Sequence, residues 1–269
     1  MNSILSVKSV YKTFYSNKNQ TKIKALKNIN FQLYENETLG IVGESGCGKS
    51  TLAKIIVQLE KLTSGEINYK NNILNNLSYS DLIKYKKDIQ LVFQDPYSSL
   101  NPRLNIHKIL EEPLIIHSSF NKNQRMQKCK EMIKLVGLQE QTLSKYPHEF
   151  SGGQRQRIVI ARALILQPKL IIADEPVSAL DVSIQSQILN LIKDIKDQFH
   201  LSLIFISHDL SVVSYMSDRI IVMYQGEIVE MGNAKNIFNQ PQHQYTKNLI
   251  SSIPKIKRYY GKISRNNDI

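Results

Sequence analysis

One short stretch of the sequence contains the residue types that wrap nucleotide phosphates. It fits the pattern Gly-x-x-x-x-Gly-Lys-Ser/Thr, and with the residue after it consists of Gly43, Glu44, Ser45, Gly46, Cys47, Gly48, Lys49, Ser50 and Thr51. Glycines let successive backbone N–H groups point at an anion. Lys49 supplies a mobile charge for the terminal phosphates, and the Ser50 hydroxyl can coordinate the accompanying Mg²⁺. The pattern predicts a nucleotide-phosphate loop.

Polar residues at the ends of apolar runs form a second group. Asp174 and Glu175 end one such run, where the first carboxylate can coordinate Mg²⁺ and the second can act as a base toward water. Gln94 follows another run, and its amide orients a water, contacts Mg²⁺ or simply serves a turn. His208 follows a third run. A lone histidine is usually structural, but this position favours contact with a γ-phosphate.

A second candidate phosphate site lies at the start of a predicted helix. Its residues are Ser151, Gly152, Gly153 and Gln154. A capping hydroxyl, bare backbone N–H groups and the positive end of a helix dipole all favour an anion there. A plain helix cap is the alternative interpretation.

Two adjacent aromatic residues, Phe14 and Tyr15, precede a polar turn at 17–20. Either ring can stack on an adenine, because every base has a π-face. Either can equally anchor the end of a strand, and position alone favours neither hypothesis.

Apolar periodicity predicts the elements that position the phosphate loop. Residues 39–42 form an apolar strand that enters the loop, and the segment from 4 to 39 is β-rich. The apolar residues after the loop recur at helical spacing: Leu52, Ile55, Ile56 and Leu59. Bound phosphates would therefore lie at a helix N-terminus.

Further along the chain, the pattern of apolar residues first becomes helical and later predicts a pair of strands. Residues 101–167 have helical periodicity, which predicts a helical subdomain inserted between strands. Gln225-Gly226 separates two apolar runs and predicts a hairpin, and the chain from Asn233 onward is polar.

The composition is that of an ordinary globular protein. Of 269 residues, 42% are hydrophobic and 22% are charged. The two cysteines, Cys47 and Cys129, have neither disulfide-framework nor metal-ligand spacing, so a reducing cytoplasm is expected. The net charge of +12 favours an anionic partner, but the lysines are dispersed and no nucleic-acid-reading motif occurs. Specific nucleic-acid binding is therefore not expected.

Together these motifs resemble those of the nucleotide-binding subunits of ATP-binding cassette (ABC) transporters. They occur in the family's order: the phosphate loop, Gln94, the signature 151–154, Asp174-Glu175, the loop 178–181 and His208. The resemblance implies an α/β fold, in which a P-loop NTPase cassette has a RecA-like parallel-sheet core, an N-terminal antiparallel β subdomain and an inserted α-helical subdomain. It also implies an ATPase domain at 1–233 and a short C-terminal tail of the oligopeptide-transporter type at 234–269.

Finer motifs are similar to those of the dipeptide and oligopeptide importers. They are residues 94–103, 148–157, the F-type run 175–183, and 243–246, where Gln244 replaces the proline of His-Pro-Tyr-Thr. The resemblance implies ATP-driven peptide uptake. Import of nickel or a metal chelate, in the same branch, is the alternative, and a soluble ABC ATPase outside transport is a third hypothesis.

The resemblance also implies residue roles. Residues 43–51 would hold one ATP, with Phe14 rather than Tyr15 on its adenine, and Mg²⁺ would be surrounded by Ser50, Gln94 and Asp174. Hydrolysis would depend on Glu175 as the group that polarises water, with His208 at the γ-phosphate and Gln94 beside them.

The partners follow from the same resemblance. The signature Ser151, Gly152, Gly153 and Gln154 would serve the ATP of a second ABC ATPase subunit, either a D-type paralogue or another copy of this chain. Two integral-membrane permease subunits and an extracytoplasmic substrate-binding protein would complete the importer. The chain would lie at the cytoplasmic face of the cell membrane, bound through the permeases.

Overall fold

The computed structural model of the chain describes residues 2–15, 22–75 and 77–253. These fall into two units: Met1–Leu77 with Ser202–Ile269, hereafter the first unit, and Ser78–Leu201, the second unit. The polar turn predicted at 17–20 lies outside the described residues.

The strands and helices of the described residues alternate along much of the chain. The strands are β1 Ser3–Tyr15, β2 Lys22–Tyr34, β3 Thr38–Val42, β4 Ser64–Tyr69, β5 Asn72–Ile73, β6 Ile89–Val92, β7 Leu170–Asp174, β8 Ser202–Ser207, β9 Arg219–Tyr224 and β10 Glu227–Asn233. The helices are α1 Lys49–Ile56, α2 Tyr79–Asp88, α3 Pro96–Ser99, α4 Ile106–His117, α5 Lys122–Leu135, α6 Gly152–Leu164, α7 Val182–Phe199, α8 Leu210–Met216, α9 Ala234–Asn239 and α10 Gln244–Ser251.

The first unit contains the predicted N-terminal antiparallel sheet. Its strand order is β2-β1-β4-β5, and each neighbouring pair is antiparallel. Along β2, buried Ile29, Phe31 and Leu33 alternate with exposed Asn30 and Gln32. This period of two buries one face of the strand, as expected for an antiparallel sheet with a solvated side.

The first unit also contains parallel strands that hold the phosphate loop. The strand order there is β10-β9-β3-β8, and β3 pairs in parallel with both β8 and β9. All residues of β3 and β8 are buried, because parallel strands are covered on both faces. β9 and β10 form the predicted hairpin, with positive φ at Gln225 (49°) and Gly226 (84°), as a tight hairpin turn requires.

The second unit combines two parallel strands, β6 and β7, with the helices α2 to α7. The segment with helical periodicity contains α4, α5 and α6. Its apolar stripes face inward, since Ile109, Leu110, Cys129 and Ile133 are all buried. This packing positions the N-terminus of α6, where the signature residues lie.

One sequence prediction about α1 is wrong. Leu59 does not belong to its apolar face, because the helix ends at Ile56 and Leu59 is 57% exposed. Gln58 adopts a left-handed φ of 59°, and the N–H of Leu59 then donates to the Lys54 carbonyl at 2.8 Å. This turn satisfies a carbonyl at the helix end and redirects the chain, so Leu59 leaves the helical face.

Glu37 is a buried carboxylate that joins separate parts of the first unit. It accepts hydrogen bonds from the Tyr34 N–H at 2.8 Å and from Arg219 Nη1 at 2.9 Å. We expect Glu37→Ala to lower the free energy of unfolding by about 2–4 kcal/mol, because the Tyr34 N–H loses its acceptor and the Arg219 guanidinium loses its carboxylate partner. Urea denaturation measures the change. The exposed neighbour Glu35 provides the control, and an equally small effect of Glu35→Ala and Glu37→Ala would contradict this role.

Candidate nucleotide-binding site

The phosphate loop joins β3 to α1, as the sequence predicts. Gly48 is the N-cap of α1 with a left-handed φ of 109°, and a Cβ at this position would lie 2.6 Å from the Ala25 carbonyl oxygen. A Cβ on Gly43 would lie 2.2 Å from the carbonyl oxygen of Met223. The backbone of the first unit therefore packs so closely on the loop that neither glycine can be replaced without a shift.

Lys49 directs its charge into the loop. The residue is 4% exposed, and Nζ donates to the carbonyl oxygens of Gly43 at 2.7 Å and Glu44 at 2.9 Å. The Cys47 thiol lies 3.9 Å from Nζ. Burial raises the pKa of Cys47 more than the Lys49 charge lowers it, so the thiol stays protonated at neutral pH. Lys49 is thus the buried cation of this loop, and Cys47 is a packed neutral neighbour.

The start of α1 is arranged for an anion. Its N-cap is a glycine, which has no side chain to close the first turn, so the helix dipole and the first N–H groups face the loop. Ser50 and Thr51 lie in this first turn and are partly exposed, whereas Glu44, Ser45 and Gly46 at the crown are exposed. A phosphate chain can approach the crown and meet the helix end.

His208 and the phosphate loop leave the same edge of the first unit's parallel strands. Val42 of β3 is opposite Ser207 of β8, so Gly43 and His208 each follow paired residues at the carboxyl ends of neighbouring strands. His208 is exposed, and the next residue, Asp209, caps α8 by accepting the Ser211 N–H at 3.0 Å. The sequence prediction that His208 stands at the end of an apolar strand is confirmed, since β8 ends at Ser207.

Phe14 and Tyr15 lie at the end of β1, also in the first unit. The Lys12 ammonium lies 4.6 Å from the centroid of the Phe14 ring and is paired with Glu60 at 2.6 Å. Phe14 is 38% exposed and Tyr15 is 65% exposed. Both rings have an accessible surface on which a base can stack, and each has a lysine near one face, since the Lys22 ammonium lies 5.7 Å from the centroid of the Tyr15 ring.

Gln94, Asp174 and Glu175 come together in the second unit. Val92 of β6 pairs with Ala173 of β7, so the residues after them emerge at one strand edge. Gln94 Nε2 donates to Glu175 Oε2 at 3.1 Å, and Asp174 and Glu175 are both buried, with 6% and 9% exposed. Buried adjacent carboxylates are unfavourable without partners. The arrangement orients the Glu175 carboxylate through a neutral amide donor.

The backbone at Glu175 has a conformation that the sequence did not predict. Its φ is 48°, in the left-handed region that residues with a side chain rarely adopt. The Ser178 N–H and hydroxyl both donate to the Glu175 carbonyl oxygen, at 3.3 Å and 3.1 Å. Such backbone strain costs about 1–3 kcal/mol and persists where the surroundings impose it. Ser178 therefore helps to hold the turn that aims Glu175.

The signature residues form the N-terminus of α6. Ser151 Oγ accepts the Gln154 N–H at 3.4 Å, and Gln154 Oε1 accepts the Ser151 N–H at 3.1 Å, which makes a capping box. Ser151 thus caps α6, a contact that both the helix-cap and the phosphate-site interpretations allow. A Cβ on Gly153 would lie 2.5 Å from Ile184 Cγ2, so this glycine permits close approach to α7. Gly152 and Gly153 are partly exposed at this helix end.

Comparison with known families identifies the fold and its role. The ABC transporter family model matches residues 26–178. The chain belongs to the ABC transporter family. A second model, the oligopeptide/dipeptide transporter C-terminal region, matches residues 229–268 of this ABC cassette.

The cassette has close relatives among transport ATPases. It is 52% identical over 236 residues to the dipeptide transport ATP-binding protein DppF of Haemophilus influenzae, which covers 87% of this chain and 72% of that protein. It is 50% identical over 244 residues to the oligopeptide transport ATP-binding protein AppF of Bacillus subtilis, covering 90% and 74%. The dimeric ATP-binding cassette MJ0796, solved with ADP and Pi, superposes with a TM-score of 0.77 at 34% identity, over 86% of this chain and 98% of that one.

The predicted fold class and enzyme class are confirmed by these comparisons. The cassette has the α/β architecture of ABC ATPases, with antiparallel and parallel sheets, and is an ATP-binding subunit of an ABC transport system. Within the described residues, every helix is too short or too polar to span a bilayer.

The residues predicted to hold Mg²⁺ suit that ion chemically. Ser50, Gln94 and Asp174 offer hydroxyl, amide and carboxylate oxygens, which are the hard donors that Mg²⁺ prefers. Because Gln94 places its nitrogen on Glu175, its amide oxygen is the atom left for a cation. In the described part of the chain, no group of three or more His, Cys, Asp or Glu side chains is placed to hold a metal.

Sequence reasoning did not find one residue at the phosphate loop. Tyr245 of α10 accepts the Glu44 N–H through its hydroxyl oxygen at 2.9 Å. The only signal was the branch motif at 243–246, which contains this tyrosine. The polar character of the tail concealed that Tyr245 and Thr246 are buried in the first unit.

Proposed function

We propose that the cassette energises the uptake of dipeptides or short oligopeptides through an ABC importer. The observation that supports this substrate class is the match of residues 229–268 to the C-terminal region of oligopeptide/dipeptide transporters. The dipeptide and oligopeptide transport relatives described above are consistent with it. In this proposal, the ATPase domain extends over 1–233 and the transporter-type tail over 234–269, with 101–167 as its inserted helical subdomain.

The phosphate loop binds ATP in this proposal. Lys49 moves its ammonium from the Gly43 and Glu44 carbonyls to the terminal phosphates, while N–H groups at the start of α1 receive the phosphate oxygens. Thr51 assists at the α-phosphate, and Phe14 stacks on the adenine.

Hydrolysis depends on the residues at the strand ends. Glu175 accepts a proton from the attacking water, and the amide donor of Gln94 orients its carboxylate. His208 donates to the γ-phosphate. Ser50 of the first unit and Gln94 and Asp174 of the second would each offer an oxygen to Mg²⁺, which would supply neutralisation of phosphate charge. Catalysis here is mainly positioning and electrostatic stabilisation.

The signature residues serve a second cassette. Ser151 to Gln154 lie at a positive helix end, where the capping box uses the N–H groups of Ser151 and Gln154 but not those of Gly152 and Gly153, and this end suits the γ-phosphate of an ATP held by a partner. The partner is a D-type paralogue or a second copy of this chain, since the chain contains both a phosphate loop and a signature. Two permease subunits hold the pair at the cytoplasmic face of the membrane, and an extracytoplasmic binding protein delivers the peptide.

Uptake in cells that lack this chain tests the proposal. We expect deletion of its gene to abolish accumulation of a labelled dipeptide or tetrapeptide, and the wild-type gene to restore it. A Glu175→Gln gene should not restore it. The exposed Glu131 on α5 gives a matched control, and Glu131→Gln should complement fully.

The same cells discriminate the alternatives. Loss of ⁶³Ni accumulation with intact peptide uptake would support the nickel or metal-chelate importer instead. Unchanged accumulation of both peptide and nickel would exclude both import proposals for this cassette.

A further inference from the structure

Tyr245 connects the C-terminal segment to the phosphate loop. Its ring is stacked on Tyr224, with centroids 4.3 Å apart and planes tilted by 33°, and the residue is 9% exposed. Its hydroxyl oxygen accepts the Glu44 N–H at 2.9 Å. Burial raises the pKa of Tyr245 to about 12, so the phenol is neutral at physiological pH. The tyrosine is therefore a permanent neutral acceptor at the entrance of the loop.

Contacts at the start of α10 hold Tyr245 in place. His243 Nδ1 accepts the Tyr245 N–H at 3.1 Å and caps the helix. The Glu230 carboxylate of β10 accepts the N–H groups of Gln242 at 2.8 Å and His243 at 3.0 Å. β10 pairs with β9, and β9 ends at Tyr224. The hairpin of β9 and β10 therefore contacts both the Tyr245 ring and the start of α10.

The N–H and the carbonyl oxygen of Glu44 both form hydrogen bonds at the phosphate loop. The Glu44 N–H donates to Tyr245, while the Glu44 carbonyl oxygen accepts Lys49 Nζ at 2.9 Å. When the ammonium turns to a phosphate, Glu44 keeps the tyrosine contact at its N–H and the Cys47 N–H, which donates at 3.2 Å, at its carbonyl oxygen. A loop already held in its binding shape loses less conformational entropy when a ligand arrives.

We propose that Tyr245 is a positioning residue of the phosphate loop, through which the C-terminal segment strengthens binding of the ATP phosphates. The proposal rests on ATP binding at this loop, as proposed above. It adds a function for the tail within the nucleotide site of the same chain.

Tyr245→Phe tests the hydroxyl alone, because phenylalanine keeps the ring stacked on Tyr224. On the full chain, we expect the Kd for MgATP by calorimetry to rise about three- to tenfold, the loss typical of one hydrogen bond. The KM for ATP should rise in parallel, with kcat nearly unchanged. Tyr224→Phe is the matched control, since it removes the other hydroxyl of the stacked pair, whose partner is Gln225 Nε2 at 3.1 Å. Its Kd should equal that of the wild type.

Hydrogen exchange gives a readout that a purely structural tyrosine would not change. Because coupling between two sites is reciprocal, ATP should slow amide exchange in α10 of the wild type and of Tyr224→Phe, but not of Tyr245→Phe. Unchanged Kd and unchanged ATP-dependent protection in Tyr245→Phe would overturn this inference and leave the proposed function intact. Failure of the wild-type chain to bind MgATP would instead overturn the proposed function.

Discussion

Replacing Glu175 by glutamine should reduce ATP hydrolysis about 100-fold or more and leave ATP binding in place. The amide has nearly the same size but cannot accept a proton from water. The substitution also removes the negative charge that accepts the hydrogen bond from Gln94 Nε2, which lies 3.1 Å from Glu175 Oε2. Binding should persist because the phosphate loop belongs to a different segment of the chain. Phosphate release measures hydrolysis, and calorimetry measures affinity for MgATP.

Two comparisons make the Glu175 result decisive. Glu131→Gln removes a carboxylate from the exposed face of α5, where it pairs with Lys128, and should hydrolyse ATP like the wild type. Ser178→Ala removes the hydroxyl that donates to the Glu175 carbonyl oxygen and should give a smaller loss, because the Ser178 N–H still holds the turn. Wild-type turnover of Glu175→Gln would remove this residue from the role of base.

Much of the site was predictable because its parts are local in sequence. The strand β3, the phosphate loop and α1 are consecutive, so residue types and apolar spacing are enough to predict them. The hairpin at Gln225-Gly226 follows from the left-handed φ that glycine readily adopts. The buried strands that end at Asp174 and Ser207 also show in the sequence as continuous apolar runs.

The features that escaped prediction depend on particular hydrogen bonds and turns that apolar spacing does not report. Glu44 and Tyr245 are separated by 201 residues, and no periodicity links them. The positive φ of Glu175 accompanies a turn held by Ser178, and a glutamate has no intrinsic preference for that region. Leu59 shows the converse error: apolar spacing continued past the point where the turn at Gln58 ended the helix.

Replacing Lys49 by alanine should weaken MgATP binding itself. The ammonium is buried in the loop, and a charge-assisted contact of this kind is worth about 1.5–3 kcal/mol, which corresponds to a Kd increase of roughly 10- to 150-fold. Lys49→Arg should not restore full affinity, because the planar guanidinium is larger and the Gly43 and Glu44 carbonyls closely surround Nζ. Calorimetric titration of the full chain with MgATP measures both variants.

The control for Lys49 lies on the same helix. Lys54 is exposed in the last turn of α1, so Lys54→Ala removes an equal charge without touching the loop, and its Kd should match the wild type. This comparison matters because the chain carries a net charge of +12, which attracts any polyanion. General attraction is screened by salt, whereas a buried contact is screened much less. Equal losses in both variants that disappear at high salt would show non-specific attraction, and a loss confined to Lys49→Ala that persists would place the phosphates in this loop.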